Sequence, residues 1–88
     1  MPKKGYFKSK TRIEISIGES VRIARELNQF SQSELARITG IPQSTISGIE
    51  MDRIKLGAER AKVLARALHC HPAVLLFPAW QISGESAA

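Results

Sequence analysis

"SQSELARITGIPQSTISGIE", residues 31–50, carries two short apolar-patterned segments on either side of one glycine, Gly40. Ser31 precedes "QSELA" with Glu34 three positions on, the reciprocal pattern of a capping box that opens a helix. Gly40 ends that helix, because a left-handed backbone is cheap only for glycine. Ile41 and Pro42 follow, and proline suits the first turn of a new helix, which the pattern carries over about Gln43 to Met51. Two short helices joined by a few residues with a glycine form a helix-turn-helix. Ala36 is small where the two helices cross, Gly40 supplies the turn, and Ile46 and Ile49 hold the second helix on a core. Gln43, Ser44, Thr45, Ser47 and Gly48 then point outward. A helix anchored by isoleucines on one face, with amides and hydroxyls on the other, suits the major groove of DNA, where such groups read base edges.

The periodicity extends in both directions. Val21, Ala24 and Leu27 recur at helical spacing with Ile17 one turn earlier, so a first helix runs from Glu19 to about Asn28. Before it, "RIEISI" (residues 12–17) alternates strictly, with Ile13, Ile15 and Ile17 on one side, which is the period of a strand. A lone strand is not stable, so this one requires a partner. Downstream, "MDRIKLG" is a loop, and Ala58 to His69 is a fourth helix with Ala61, Leu64, Ala65 and Leu68 inward. "HPAVLLF" makes a short fifth helix, started by Pro72 and stopped by Pro78. The expected architecture is all-α, a five-helix bundle with a possible short N-terminal β-strand. Residues 1–17 form a basic arm and strand, 18–78 the helix-turn-helix domain, and 79–88 a C-terminal tail.

Composition narrows the function classes. At 88 residues and 43% hydrophobic, the chain holds one small domain with a core of modest stability. Its single cysteine, Cys70, excludes an intrachain disulfide and fits a reducing cytosol. No apolar run approaches the roughly 18 residues that span a bilayer, and the N-terminus lacks the apolar stretch of a signal peptide. A cytoplasmic protein without a membrane partner is expected. The net charge of +5 favours a polyanionic partner. Lys3, Lys4, Lys8, Lys10 and Arg12 all precede the first acidic residue, Glu14, which makes the N-terminus a basic arm.

"REL…FSQSELARITGIPQSTISGIE" and "AKVLARALHCHPAVLLF" place residues 18–77 in clear resemblance to the lambda-repressor-like (XRE) helix-turn-helix domains. The resemblance implies a lambda-repressor-like bundle of five helices whose third helix enters the major groove of an operator. It also implies that Gln32 sits near a phosphate and supports Gln43, that Gln43, Ser44, Ser47 and Gly48 occupy base-reading positions, and that Thr45 reaches backbone phosphate. Arg25 and Glu50 match a buried ion pair linking the first helix to the end of the third. Arg53 and Lys55 fall in the loop where relatives touch phosphates. The chain departs from the pattern twice. Pro42 replaces a serine or threonine cap, and Gly48 brings no side chain to a reading position.

The expected function is a sequence-specific, dimeric DNA-binding transcription regulator acting as a repressor. A homodimer is expected because one recognition helix reads too few bases for tight specificity. Ile13, Ile15, Ile17, Trp80 and Ile82 are the candidate dimer or partner surface, since nothing in the domain claims them. The alternative is an antitoxin that binds a toxin through "RIEISI" and represses their shared operon. No acid–base pair, nucleophile constellation or phosphate-cradling loop suggests an enzyme, and no cofactor is implied. "HCH" at 69–71 does not read as a metal site, because adjacent residues at a helix end point in different directions.

Overall fold

The computed structural model describes residues 15–78, which form five helices: α1 Ile17–Leu27, α2 Gln32–Thr39, α3 Gln43–Glu50, α4 Ala58–Ala67 and α5 Pro72–Leu76. Val21, Leu35, Ile46, Ile49, Leu64 and Leu75 are fully buried, so every helix sends at least one large apolar side chain into a common core. Ala61, Ala65 and Leu68 extend that core along α4, and Ala36 packs against it from α2. α1 lies on α3 and α5, α2 on α3 and α4, and α4 on α5. Among the described residues, no helix is long and apolar enough to cross a membrane.

α1 begins two residues before the expected Glu19, and the reason is a second capping box. Ser16 Oγ accepts from the Glu19 amide at 3.0 Å, and Glu19 Oε1 accepts from the Ser16 amide at 3.0 Å. At its described end, Ser16 and Ile17, this departs from the strand reading of residues 12–17. Ser16 is the N-cap of α1 and Ile17 its first residue, so the end of the alternating stretch is drawn into the helix. Two orphan helix amides are satisfied there by local chemistry, which a strand pairing would forfeit. No strand occurs among the described residues, and Arg12, Ile13 and Glu14 lie outside them. So do the rest of the N-terminal arm and the tail from residue 79, with Trp80 and Ile82.

Three of the helices end in the same way without glycine. Gln29, Asp52 and His69 adopt φ of 61°, 61° and 58°, directly after the C-caps of α1, α3 and α4. In each case the paired bonds of a Schellman motif close the end. Phe30 N donates to Arg25 O and Gln29 N to Glu26 O; Arg53 N donates to Gly48 O and Asp52 N to Ile49 O. Cys70 N donates to Ala65 O and His69 N to Arg66 O. Only α2 closes on a glycine, Gly40, at φ 79°. The "HCH" residues thus have separate local duties. His69 turns the chain, Cys70 is half-buried with its thiol pushed up by desolvation, and His71 Nδ1 caps α5 by accepting from the Ala73 amide.

The start of α1 and the end of α3 meet head to tail. Gly18 N donates to Asp52 Oδ1 at 3.0 Å, and a Cβ on Gly18 would fall 2.6 Å from the Glu50 carbonyl oxygen and inside contact with that of Ile49. The amide end of one helix therefore rests on the carbonyl end of another, a favourable dipole arrangement that only glycine lets the backbones reach. On the far side, Ser20 Oγ donates to Leu75 O at 2.9 Å and ties α1 to α5. The first contact sets how closely α1 approaches the end of α3, and the second ties α1 to α5.

Candidate nucleic-acid interface

α3 is the element that sequence reasoning assigned to base recognition, and its pose is set by its C-terminal end. Arg25 reaches from α1 to make a two-pronged pair with Glu50, Nε to Oε2 at 2.6 Å and Nη2 to Oε1 at 3.0 Å. The side chains retain 11% and 2% exposure, so the pair works in a low-dielectric setting with good geometry. Arg25 Nη1 also donates to Phe30 O, and these bonds to Glu50 raise the guanidinium pKa further above its already high value. The expected Arg25–Glu50 pair is present.

Gln32 is placed differently from the expectation. Its Nε2 donates to Glu50 Oε1 at 3.0 Å, so the side chain joins the ion pair rather than reaching Gln43. Glu50 holds two charge-assisted bonds from Arg25 and has acceptor capacity left, which a third donor satisfies. Support for Gln43 comes instead from the next residue. Ser33 Oγ lies 3.2 Å from Gln43 Oε1, bridging the starts of α2 and α3. Sequence reasoning missed Ser33, although its place one residue into α2 faces the start of α3 across the turn.

The outward face of α3 is only partly as expected. Gln43 and Ser44 are exposed, while Thr45 and Ser47 are half-buried. Gly48 is buried, which corrects its placement on the outward face. A Cβ there would stand 2.5 Å from Ile54 Cδ1, because the Schellman turn folds the following loop back over this position. Glycine at 48 therefore makes room for Ile54, and the Gly48 carbonyl accepts from both Arg53 and Ile54 amides. Met51 takes the outward place instead. It is exposed, with Ser47 Oγ 3.9 Å and Arg53 Nη2 3.4 Å from its sulfur. Ser44, Ser47 and Met51 recur at i, i+3 and i+7, the spacing that could have identified Met51 as part of this face.

The start of α3 is bare. Pro42 is the N-cap and offers no side-chain bond to the first turn, as its replacement of a capping residue implied. Gln43 and Ser44 thus stand exposed at a positive helix end, while Arg53 and Lys55 are exposed in the loop that follows the other end of α3. The helix thus offers amide and hydroxyl groups from its start, and two cations follow in the loop beyond its end. Among the described residues, no three His, Cys, Asp or Glu side chains gather as a metal site.

The fold is shared with known proteins. Residues 21–75 match the family model described as helix-turn-helix. The restriction-modification controller protein C.AhdI from Aeromonas hydrophila is 29% identical, with a TM-score of 0.64 over 67% of this chain and 89% of that one. The P22 c2 repressor, solved in complex with a synthetic operator, is 27% identical, with a TM-score of 0.66 over 70% of this chain and 94% of that one. The solution structure of the P22 c2 DNA-binding domain is 30% identical, with a TM-score of 0.66 over 69% of this chain and 80% of that one. No curated protein matches the chain.

Proposed function

The chain belongs to the helix-turn-helix family of DNA-binding transcription regulators, and we propose that it is a dimeric, sequence-specific repressor that reads the major groove with α3. The observation that carries this reading is the polarity of α3. Ile46, Ile49 and Glu50 are buried, while Gln43 and Ser44 stand exposed at its uncapped start. Gln43, Ser44 and Ser47 read base edges, and Met51 extends their strip. Thr45, Arg53 and Lys55 contact backbone phosphates. Gln32 acts by holding Glu50, and Gly48 by admitting Ile54. The repressor assignment draws on the P22 c2 repressor among the similar structures. Dimerisation draws on the reach of a single recognition helix, which spans too few base pairs for operator affinity. The alternative, an antitoxin that binds a toxin through residues 12–17 and represses their shared operon, keeps the same DNA-reading face, with Ser16 and Ile17 of that flank belonging to the start of α1.

Selection of bound duplexes from a random DNA library tests the proposal. The expected product is a palindrome with half-sites about one helical turn apart. Salt-sensitive binding without enrichment of any sequence would overturn it. Within an enriched site, Gln43→Ala costs about 1–3 kcal/mol of binding and relaxes preference at one base position. Lys55→Ala instead weakens all sequences alike and lowers the salt slope by about one.

A further inference from the structure

An apolar groove runs between α1 and α5, lined by Ile15, Ile23, Ala24, Leu27, Val74 and Pro78. Its volume is about 190 Å³. Among the described lining residues the one polar side chain, Ser20, has its hydroxyl turned to the Ile17 and Leu75 carbonyls, so the described wall of the groove is apolar. Leu27 is 78% exposed and Ile23 41%, on a helix whose other apolar residues are in the core. We propose that the chain's own C-terminal segment docks there, with the Trp80 indole as its anchor.

Chain geometry and chemistry favour this occupant. Pro78 is both the last described residue and part of the groove wall, so the segment starts at the rim. Trp80 lies two residues on, within about 7 Å of chain reach. Trp80 and Ile82 are the large apolar residues of the segment, and "SGESAA" after them carries none. One tryptophan covers about 150–250 Å² of apolar surface, enough to shield Ile23 and Leu27 together. The N-terminal arm also begins beside the groove, at Ile15, but its lysines and arginines suit water and phosphate. A second copy of the chain loses translational and rotational freedom on docking, whereas a tethered tryptophan two residues from the rim acts at millimolar effective concentration. The inference stands apart from the DNA-binding reading and survives its failure.

Trp80 is the chain's single tryptophan, so its fluorescence reports on the groove directly. The full chain is expected to show blue-shifted emission with weak acrylamide quenching, unchanged on dilution. Leu27→Ser, at a surface position that leaves the core intact, is expected to move the emission to that of solvated indole and to raise quenching, with helical circular dichroism preserved. Val63→Ser, on the α2–α4 side, is expected to change neither. Solvated emission in the unmodified chain overturns the proposal. So does emission that Leu27→Ser leaves unmoved. A blue shift that disappears on dilution together with a dimer mass overturns it as well, and assigns the groove to a second copy.

Discussion

The two ends of α3 are built on opposite principles. At the C-terminal end, Glu50 accepts from Arg25 and Gln32, Gly48 lies beneath Ile54, and the last carbonyls rest against Gly18. At the N-terminal end, Pro42 supplies no cap bond, and Gln43 and Ser44 face solvent with Ser33 as their neighbour. One end is locked by groups from α1, α2 and the following loop, while the other holds groups that change without disturbing the fold. Orientation and recognition are thereby separated by two turns of one helix. A DNA-reading helix needs both, since contacts to base edges carry specificity only when the scaffold holds them in register.

Substitutions at the locked end carry the largest expected effects. Glu50→Ala leaves the Arg25 guanidinium with only the Phe30 carbonyl and removes the anchor of Gln32. The expected loss is about 3 kcal/mol of stability, read from urea unfolding midpoints, as for a nearly buried pair stripped of one partner. A cost under about 1 kcal/mol would equate the pair with a surface bridge and break the contrast. Gly18→Ala is next. Its methyl meets backbone carbonyl oxygens, which cannot rotate away, so α1 must move for about 1–3 kcal/mol.

The remaining predictions sharpen the contrast. α2 starts with the cap that α3 lacks, and Ser31→Ala is expected to cost about 1 kcal/mol. The Ser31 backbone amide, and after it the Ser31 hydroxyl, holds the Glu34 carboxyl below its ordinary value of 4.5. A carboxylate with a depressed folded pKa stabilises fully above its unfolded value and loses that contribution as pH falls through the folded one. The advantage of the unmodified chain over Glu34→Gln should therefore hold above pH 4.5 and disappear in more acidic solution. The smallest effect is expected at Gly48→Ala. Ile54 is 37% exposed and can rotate off the new methyl, while alanine gains helix propensity. The propensity gain offsets part of the displacement, leaving a loss of about 1 kcal/mol or less, the mildest at the locked end.

Much of the motif was legible because its determinants are local. Ser31, Glu34 and Gly40 announce the bounds of α2 within a few residues, and the isoleucine spacing picks out the buried face of α3. The start of α1 was equally legible in Ser16 and Glu19, but the alternation of "RIEISI" masked it. The ends of α1, α3 and α4 were read to within two residues, but the left-handed turns that close them were not legible. Gln29, Asp52 and His69 adopt a backbone that costs each about 1–2 kcal/mol and carry no glycine to advertise it. The Asp52 side chain also accepts from the Gly18 amide, 34 residues away, which no local pattern records.

By itself, the sequence determined the helices, their order and the face of each that turns inward, because periodicity and capping act over three or four residues. The tertiary structure decided where each polar group is spent. Gln32 goes to Glu50 rather than Gln43, Ser33 takes up Gln43, and Gly48 serves the loop instead of the outward face. Those choices depend on which donors and acceptors meet once the helices dock across 10 to 34 residues of chain. A polar side chain has several possible partners in the sequence, and packing selects the one that leaves no buried group unpaired.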